Sequence, residues 1–192
     1  MKGMILKESS RGIDSYSPES MLLQERILFF TEEVNPSSAD ALIEYLLFLD
    51  KDEPGQEITL CINSPGGEVV SGLAVYDTIQ MLKSPVRTIC IGTAASMGAI
   101  LFLAGTRREM LPHTKLMIHD PLLAGLAQPQ MALQLRKQAD QLMETRDVLG
   151  KVISEKSGLP LEKVYEMTAE DCFLTAEKAV ELGLATEIIR EW

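Results

Sequence analysis

The stretch Gly92–Gly105 reads GTAASMGAILFLAG, and the predicted fold is organised around it. It contains small residues, then one hydroxyl at Ser96, then an apolar run. Small residues on both sides of a serine allow a sharp turn from a strand into a helix, with the hydroxyl accessible at the turn. This geometry suits a serine nucleophile. Serine is also favoured as the N-cap of an ordinary helix, so the stretch alone leaves both interpretations open.

Strands and helices are predicted to alternate around this stretch. Short apolar runs at 26–30, 58–62 and 86–91 are typical of buried strands. Between the first two runs, Asn35 and Pro36 are typical of the start of a helix. Because alternating strands and helices form right-handed crossovers, we expect an α/β fold with a largely parallel sheet.

Three further segments have distinct patterns. Residues 1–24 are polar with scattered serines, and we expect an arm that is not part of the core. Residues 106–109 are expected to form a loop. A helical pattern over 131–156 predicts one long helix, which Gly158 and Pro160 would stop.

A candidate nucleophile and a candidate base follow two predicted strands. Gly66–Gly67 also follows a strand, and the carboxyl ends of parallel strands meet at one sheet edge, where sites form. The run 116–118 delivers His119 to the end of a strand as well. Histidine takes and returns a proton near neutral pH, as a serine nucleophile requires. Ser96 and His119 are therefore a candidate pair.

A third group must orient the imidazole and stabilise its charged form, which is a role for a buried carboxylate. The chain has 28 Asp and Glu residues, and spacing alone does not choose among them. Asp120 is adjacent to His119, but neighbouring side chains of an extended chain point to opposite faces. A more distant acid is expected.

Composition narrows the class of protein. A chain of 192 residues with 46% hydrophobic residues suits one compact domain with a sizeable core. The net charge of -10 argues against nucleic-acid binding. The longest apolar run, 99–104, is far shorter than the roughly 20 residues that cross a membrane. Cys61 and Cys90 lie in strand-like runs and predict buried, reduced thiols, so we expect a cytoplasmic protein.

Five motifs resemble the proteolytic subunit of the Clp protease, ClpP, and the resemblance extends from residue 9 onward. The motifs are INSPGG at 62–67, GLAVYDT at 72–78, GTAASMGA at 92–99, MIHDP at 117–121 and GLPLEKV at 158–164. The resemblance implies a ClpP/crotonase-like spiral of ββα units with a protruding long handle helix. It implies one peptidase domain over 1–192, divided into an N-terminal axial arm (1–25), a head (26–121 and 159–192) and a handle region (122–158).

The resemblance also implies a set of site residues. Ser96 would be the nucleophile, His119 the general base and acid, and Asp171 the orienting carboxylate. The backbone amides of Gly67 and Met97 would form the oxyanion hole, and no metal or cofactor is implied. The substrate is expected to add as a strand after Gly67. The residues implied to contact it are Gly66, Val69, Val70, Leu122 and Leu123.

The implied function is that of a serine endopeptidase in a barrel-shaped, self-compartmentalised protease that serves protein quality control. Family members form two stacked heptameric rings, a tetradecamer. A hexameric AAA+ unfoldase of the Clp family feeds them unfolded polypeptides. We expect the same partners here, with a second ClpP paralogue as a further candidate partner, and neither nucleic acid nor membrane.

Two positions depart from the usual family pattern. Most members have an amide after the catalytic histidine and an arginine before the catalytic aspartate, where this chain has Asp120 and Glu170. Both changes add negative charge near the expected site. Because the arginine pairs across the ring interface in the family, we expect both residues at the inter-ring contact and a weakened double ring.

Two other functions remain open. The chain could be a catalytically dormant or partner-dependent subunit of a mixed ClpP ring. A crotonase-like acyl-CoA enzyme shares the spiral architecture and an oxyanion hole of two amides, but it needs no Ser–His–Asp set. Covalent labelling of Ser96 distinguishes these alternatives from an active peptidase.

Overall fold

The structure, a computed structural model, describes residues 3–9, 12–122 and 131–191. Nine strands and seven helices occur in this part of the chain. In chain order they are β1 (Ile5–Ser9), β2 (Gly12–Tyr16), α1 (Pro18–Gln24), β3 (Ile27–Phe30), α2 (Pro36–Asp52), β4 (Ile58–Ser64), α3 (Val69–Met81), β5 (Val86–Ala95), α4 (Met97–Leu103), β6 (Arg107–Met110), β7 (Lys115–Ile118), α5 (Ala132–Ser157), α6 (Leu161–Thr168), β8 (Cys172–Thr175), α7 (Ala176–Glu181) and β9 (Glu187–Ile188).

The central sheet is largely parallel, which confirms the predicted α/β class. Strands β3, β4, β5, β6 and β9 lie side by side in that order, and all these pairs are parallel. Strand β5 pairs with β4 along one edge, so β6 and β7 share its other edge. Strand β7 also pairs with β8, and this pair is antiparallel. The long strand β5 therefore joins the main sheet to the β7–β8 pair.

Helix α4 forms the centre of the core. All seven of its residues are buried, and it packs against α3, α5 and β5. Full burial of a large apolar side chain contributes roughly 1.5–3 kcal/mol. The apolar run after Ser96 is therefore the central packing element of the fold.

Helix α2 begins at the predicted Asn35–Pro36 pair. The Ser38 amide donates to Asn35 Oδ1 at 3.1 Å, and the Asn35 amide donates to Ser38 Oγ at 2.9 Å. This reciprocal capping box fixes the first turn of the helix. Leu46 on the inner face is fully buried, whereas Leu47 beside it is 51% exposed.

Helix α5 is a single helix of 26 residues, close to the predicted range. Its buried residues all lie between Leu149 and Ile153, near the C-terminal end. It ends at Gly158, whose φ of 78° is left-handed and whose amide donates to the Ser154 carbonyl at 2.8 Å. Burial therefore anchors only the last part of this helix. Within the described ranges, no helix combines the length and the apolar character needed to span a membrane.

The N-terminal arm contains regular elements that the sequence did not predict. Strands β1 and β2 form an antiparallel hairpin in which Ile5 lies opposite Tyr16. Helix α1 follows, and its Leu23 packs against the core. The hairpin could not be predicted from the polar, serine-rich sequence, because an exposed two-stranded hairpin requires no apolar run.

The loop predicted at 106–109 is also wrong, because strand β6 occupies this segment. Glu109 is only 2% exposed, and its carboxylate pairs with the guanidinium groups of Arg87 and Arg107. Two arginines thus allow an acidic residue to lie in a buried strand. The charged sequence RREM gave no apolar pattern from which the strand could be predicted.

The packing of α2 leads to a stability prediction with an adjacent control. We expect Leu46→Ala to lower the free energy of unfolding by about 2–5 kcal/mol, because it removes a fully buried side chain from the core. Leu47→Ala should change that free energy by less than about 0.5 kcal/mol. Urea denaturation at one fixed protein concentration measures both. Equal losses in the two variants would contradict the assigned packing of this helix.

Candidate active site

Three segments bring the predicted catalytic residues together. Ser96 lies between β5 and α4, at the end of a central strand. His119 directly follows β7, and Asp171 directly precedes β8. These two strands pair antiparallel with Ile118 opposite Cys172, so His119 and Asp171 meet one position further on.

The hydroxyl and the imidazole are in hydrogen-bond contact. His119 Nε2 lies 2.8 Å from Ser96 Oγ, and the histidine side chain is only 12% exposed. His119 Nδ1 lies 3.7 Å from Asp171 Oδ1, which is beyond ordinary hydrogen-bond length. The Asp171 side chain is 64% exposed, unlike the buried carboxylate that such a group usually has. Contact is thus close on the Ser96 side and loose on the Asp171 side.

Ser96 occupies a strained backbone conformation. Its φ is 54° and its ψ is -122°, a region that a residue with a side chain rarely adopts and that costs on the order of 1–3 kcal/mol. Its amide donates to the Met117 carbonyl at 2.9 Å, which joins the turn to β7. Ser96 occupies the N-cap position of α4, but its side chain makes no capping hydrogen bond to the helix, and its hydroxyl contacts His119 instead.

The Gly66–Gly67 turn packs directly against the start of α4. Gly66 has a φ of 95°, and a Cβ there would lie 2.6 Å from Ser96 Cβ and 2.9 Å from the Met97 nitrogen. Gly67 has a φ of 146°, and a Cβ there would lie 2.1 Å from the Val34 carbonyl oxygen. Neither position has room for a side chain, so glycine is required at both.

Two backbone amides beside Ser96 are free to donate. The Val34 amide donates to the Gly66 carbonyl at 2.7 Å, and the Glu68 amide donates to the Val34 carbonyl at 2.8 Å. This parallel bridge spans Gly67 without using its amide. Across the described part of the chain, neither the Gly67 amide nor the Met97 amide donates to another protein group. Such a pair of donors can stabilise negative charge that develops on a substrate oxygen.

A cavity of about 420 Å³ opens beside Ser96. Apolar side chains dominate its lining. The lining residues are Pro65, Gly67, Val69, Ser96, Met97, Ile100, Met117, Ile118, His119, Pro121, Leu122, Leu149, Ile153 and Asp171. Sequence reasoning missed the contributions of α4 and α5, namely Ile100, Leu149 and Ile153. The apolar run after Ser96 and the helical pattern over 131–156 gave no sign that these helices border a cavity.

The predicted substrate residues are only partly brought together. Val69 and Leu122 line the cavity. Gly66 contacts Ser96 from the neighbouring turn without lining the cavity. Val70 is 76% exposed and lies outside the lining. Leu123 lies outside the described residues.

The two predicted inter-ring residues have different environments. The Asp120 carboxylate accepts hydrogen bonds from Arg146 Nε and from Thr168 Oγ1, both at 2.6 Å. It therefore turns away from the His119 ring, as the sequence predicted, but its negative charge is neutralised by Arg146. Glu170 is exposed, and no cation of the described chain pairs with it. Sequence reasoning missed Arg146 because it lies far away on α5.

The cysteines provide no alternative nucleophile. Cys61 and Cys90 are free and buried, as predicted. Burial raises the pKa of the Cys61 thiol to about 11 and also raises the pKa values of Cys90 and Cys172. A raised thiol pKa keeps the sulfur protonated and poorly nucleophilic at neutral pH. Among residues 3–9, 12–122 and 131–191, no group of three or more His, Cys, Asp or Glu side chains is arranged to bind a metal ion.

The fold and the site define an α/β protein in which a serine at a strand-to-helix turn is hydrogen-bonded to a histidine beside a largely apolar cavity. The sequence model of the Clp protease family matches residues 9–192, which is nearly the whole chain. The chain therefore belongs to the Clp protease family and is a Clp-type peptidase subunit. The resemblance in the sequence motifs is thereby confirmed.

The tight Gly67 turn generates a prediction about peptidase activity. Gly67→Ala should lower it by on the order of 100-fold, because the new Cβ meets the Val34 carbonyl and displaces an amide next to Ser96. A fluorogenic peptide assay measures the loss. Gly55→Ala is the matched control, since its φ of 88° is also positive but nothing lies within 4 Å of a Cβ there. Undiminished activity in Gly67→Ala would show that the turn is not critical.

Proposed function

We propose that this chain is a serine endopeptidase that acts through Ser96, His119 and Asp171. The observation that carries the proposal is the 2.8 Å contact between His119 Nε2 and Ser96 Oγ, beside two unpaired amides. A serine hydroxyl is a weak nucleophile until a base removes its proton. Membership of a peptidase family supplies the reaction class to which this pair is suited.

The mechanism follows from these contacts. Ser96 Oγ attacks the carbonyl carbon of a peptide bond while His119 Nε2 accepts the hydroxyl proton. The carbonyl oxygen becomes negatively charged and receives hydrogen bonds from the amides of Gly67 and Met97. His119 then donates the proton to the leaving amine. A water molecule repeats the same sequence on the acyl-enzyme and releases the second product.

The position of Asp171 supports a second candidate function, a partner-dependent subunit. An orienting carboxylate works best when it is buried and hydrogen-bonded to Nδ1, whereas Asp171 lies 3.7 Å away and is 64% exposed. A neighbouring subunit that covers this surface would bring the carboxylate closer to the imidazole. In this alternative the chain is dormant alone and becomes competent within a ring.

The proposed substrate is an extended, unfolded polypeptide. It would add as a strand beside the segment after Gly67, where backbone hydrogen bonds give affinity with little sequence selection. The apolar lining contributed by Val69, Ile100 and Leu122 favours an apolar substrate side chain in the cavity. Contacts to Gly66, Val70 and Leu123 are part of the same proposal.

The proposed assembly is a pair of stacked heptameric rings that receives substrates from a hexameric AAA+ unfoldase, with or without a second paralogue. In this proposal residues 26–121 and 159–192 form the head, and 122–158 form the handle between rings. Several large apolar side chains on α5 are exposed in the described part of the chain, which favours an interface there. They are Leu133, Leu135, Met143 and Val148.

The triad proposal is tested by single substitutions. Ser96→Ala should abolish covalent labelling by a fluorophosphonate and lower peptide hydrolysis by on the order of 10⁶-fold. Asp171→Asn should lower hydrolysis by on the order of 10⁴-fold, because the imidazole loses its charge partner. Labelled protein is quantified by intact mass, and hydrolysis with a fluorogenic peptide.

Ser37→Ala provides the control, because Ser37 is an exposed serine on α2 that does not line the cavity. Labelling that persists in Ser96→Ala would refute the nucleophile assignment. A wild-type chain that takes no label would favour a dormant subunit. Ser96→Ala that leaves the activity of a mixed ring unchanged would single out the dormant subunit.

The exposed carboxylate of Glu170 leads to a prediction about assembly. If Glu170 faces its counterpart across the ring interface, like-charge repulsion weakens the double ring and salt screens that repulsion. Sedimentation velocity should therefore show more tetradecamer at high than at low ionic strength. Glu170→Gln should reduce this dependence. A fourteen-subunit species that is unchanged from low to high salt in the wild-type chain would count against this interface.

A further inference from the structure

Asp120, the residue after His119, is held by three hydrogen bonds. Asp120 Oδ2 accepts a hydrogen bond from Arg146 Nε on α5, and Asp120 Oδ1 accepts one from Thr168 Oγ1 on α6, each at 2.6 Å. The Asp120 amide donates to the Thr168 carbonyl at 2.7 Å. Both carboxylate oxygens and the backbone are thus fixed by two different helices. This arrangement restricts the main chain immediately next to the imidazole.

Arg146 is itself fixed in position. Its guanidinium carbon lies 3.9 Å from the centre of the Tyr165 ring, and the Tyr165 hydroxyl donates to Asp147 Oδ1 at 2.8 Å. The Arg146 and Asp120 side chains are 21% and 31% exposed. Stacking on an aromatic ring and partial burial limit the motion of the guanidinium. The ion pair is therefore more rigid than a pair between two long, solvated side chains.

Other restraints on the His119 ring are few. Ser96 Oγ contacts Nε2 at 2.8 Å, but this hydroxyl is the group from which His119 must remove a proton. Asp171 lies 3.7 Å from Nδ1 and is mostly exposed. The restraint that persists through the reaction is therefore the anchoring of the adjacent main chain.

We propose that the Asp120–Arg146 pair is a positioning device that holds His119 in reach of Ser96. Asp120 and Arg146 do not touch the reacting atoms, and they act through the main chain of His119. The inference rests on the proposed function, in which His119 transfers the proton. It predicts that breaking the pair slows the chemical step while substrate binding is retained.

The experiment compares the full chain with Asp120→Asn, Arg146→Gln and the double variant. We expect kcat for a fluorogenic peptide and the rate of fluorophosphonate labelling to fall about 10- to 100-fold in Arg146→Gln, because a misplacement of about 1 Å costs on the order of 100-fold. KM should stay within about twofold, since the substrate cavity is intact. The double variant should be no slower than the slower single variant, because both single changes break one contact.

Conservative variants and a matched control complete the test. Arg146→Lys keeps the positive charge and should recover part of the lost rate. Thr168→Val removes the hydroxyl that donates to Asp120 and should slow labelling, whereas Thr168→Ser keeps a hydroxyl and should not. If Arg146→Gln does not fold, these two variants test the positioning role of Asp120. Arg136→Gln changes an exposed arginine on the same helix and should label at the wild-type rate.

Three results would overturn the inference. The first is that Arg146→Gln is labelled at the wild-type rate. The second is that the rate losses of the two single variants multiply in the double variant. The third is that kcat falls only because the variant no longer assembles, as measured by sedimentation. In all three the wild-type chain is labelled at Ser96, so the proposed function stands. A wild-type chain that takes no label would instead overturn the proposed function, and this inference with it.

Discussion

The site depends on close contact between the Gly66–Gly67 turn and the first residues of α4. A single Cβ on Gly66 would overlap the Ala95 carbonyl and the Ser96 side chain, so the turn reaches the serine only because that atom is missing. Ser64 stabilises the turn, since its hydroxyl donates to the Glu32 carbonyl at 2.6 Å and accepts from the Gly66 amide at 3.2 Å. The contact sets two unpaired amides beside one hydroxyl, which is the arrangement that acyl transfer needs.

The strained backbone of Ser96 persists because the residues that follow it are deeply buried. The positive φ costs on the order of 1–3 kcal/mol. Helix α4 offsets this cost, since Leu101, Phe102 and Leu103 are all fully buried and each contributes roughly 1.5–3 kcal/mol. The same apolar run that the sequence displays after the serine therefore holds the serine at a sharp turn. Core packing and site geometry are two consequences of one stretch of chain.

The sequence predicted those features that leave a local pattern. Apolar runs and the Asn35–Pro36 helix start gave the α/β order, and the shared sheet edge brought His119 to Ser96. The acid could not be chosen from spacing, because Asp171 meets His119 through an antiparallel β7–β8 pairing that only the folded chain reveals. The motif resemblance, not the periodicity, pointed to that residue. Strand β6 was missed because its buried Glu109 depends on arginines from two strands.

The two acidic departures from the family pattern are not equivalent. Asp120 lies against α5, where Arg146 neutralises it, whereas Glu170 stays on the surface with its charge exposed. Only Glu170 thus remains available to repel a neighbouring subunit in the proposed assembly. Arg146, which pairs with Asp120 at the end of β7, lies on α5 just before the buried Leu149–Ile153 segment. The proposed positioning of His119 therefore needs contacts within a single subunit only, whereas repulsion at Glu170 would need a neighbouring subunit.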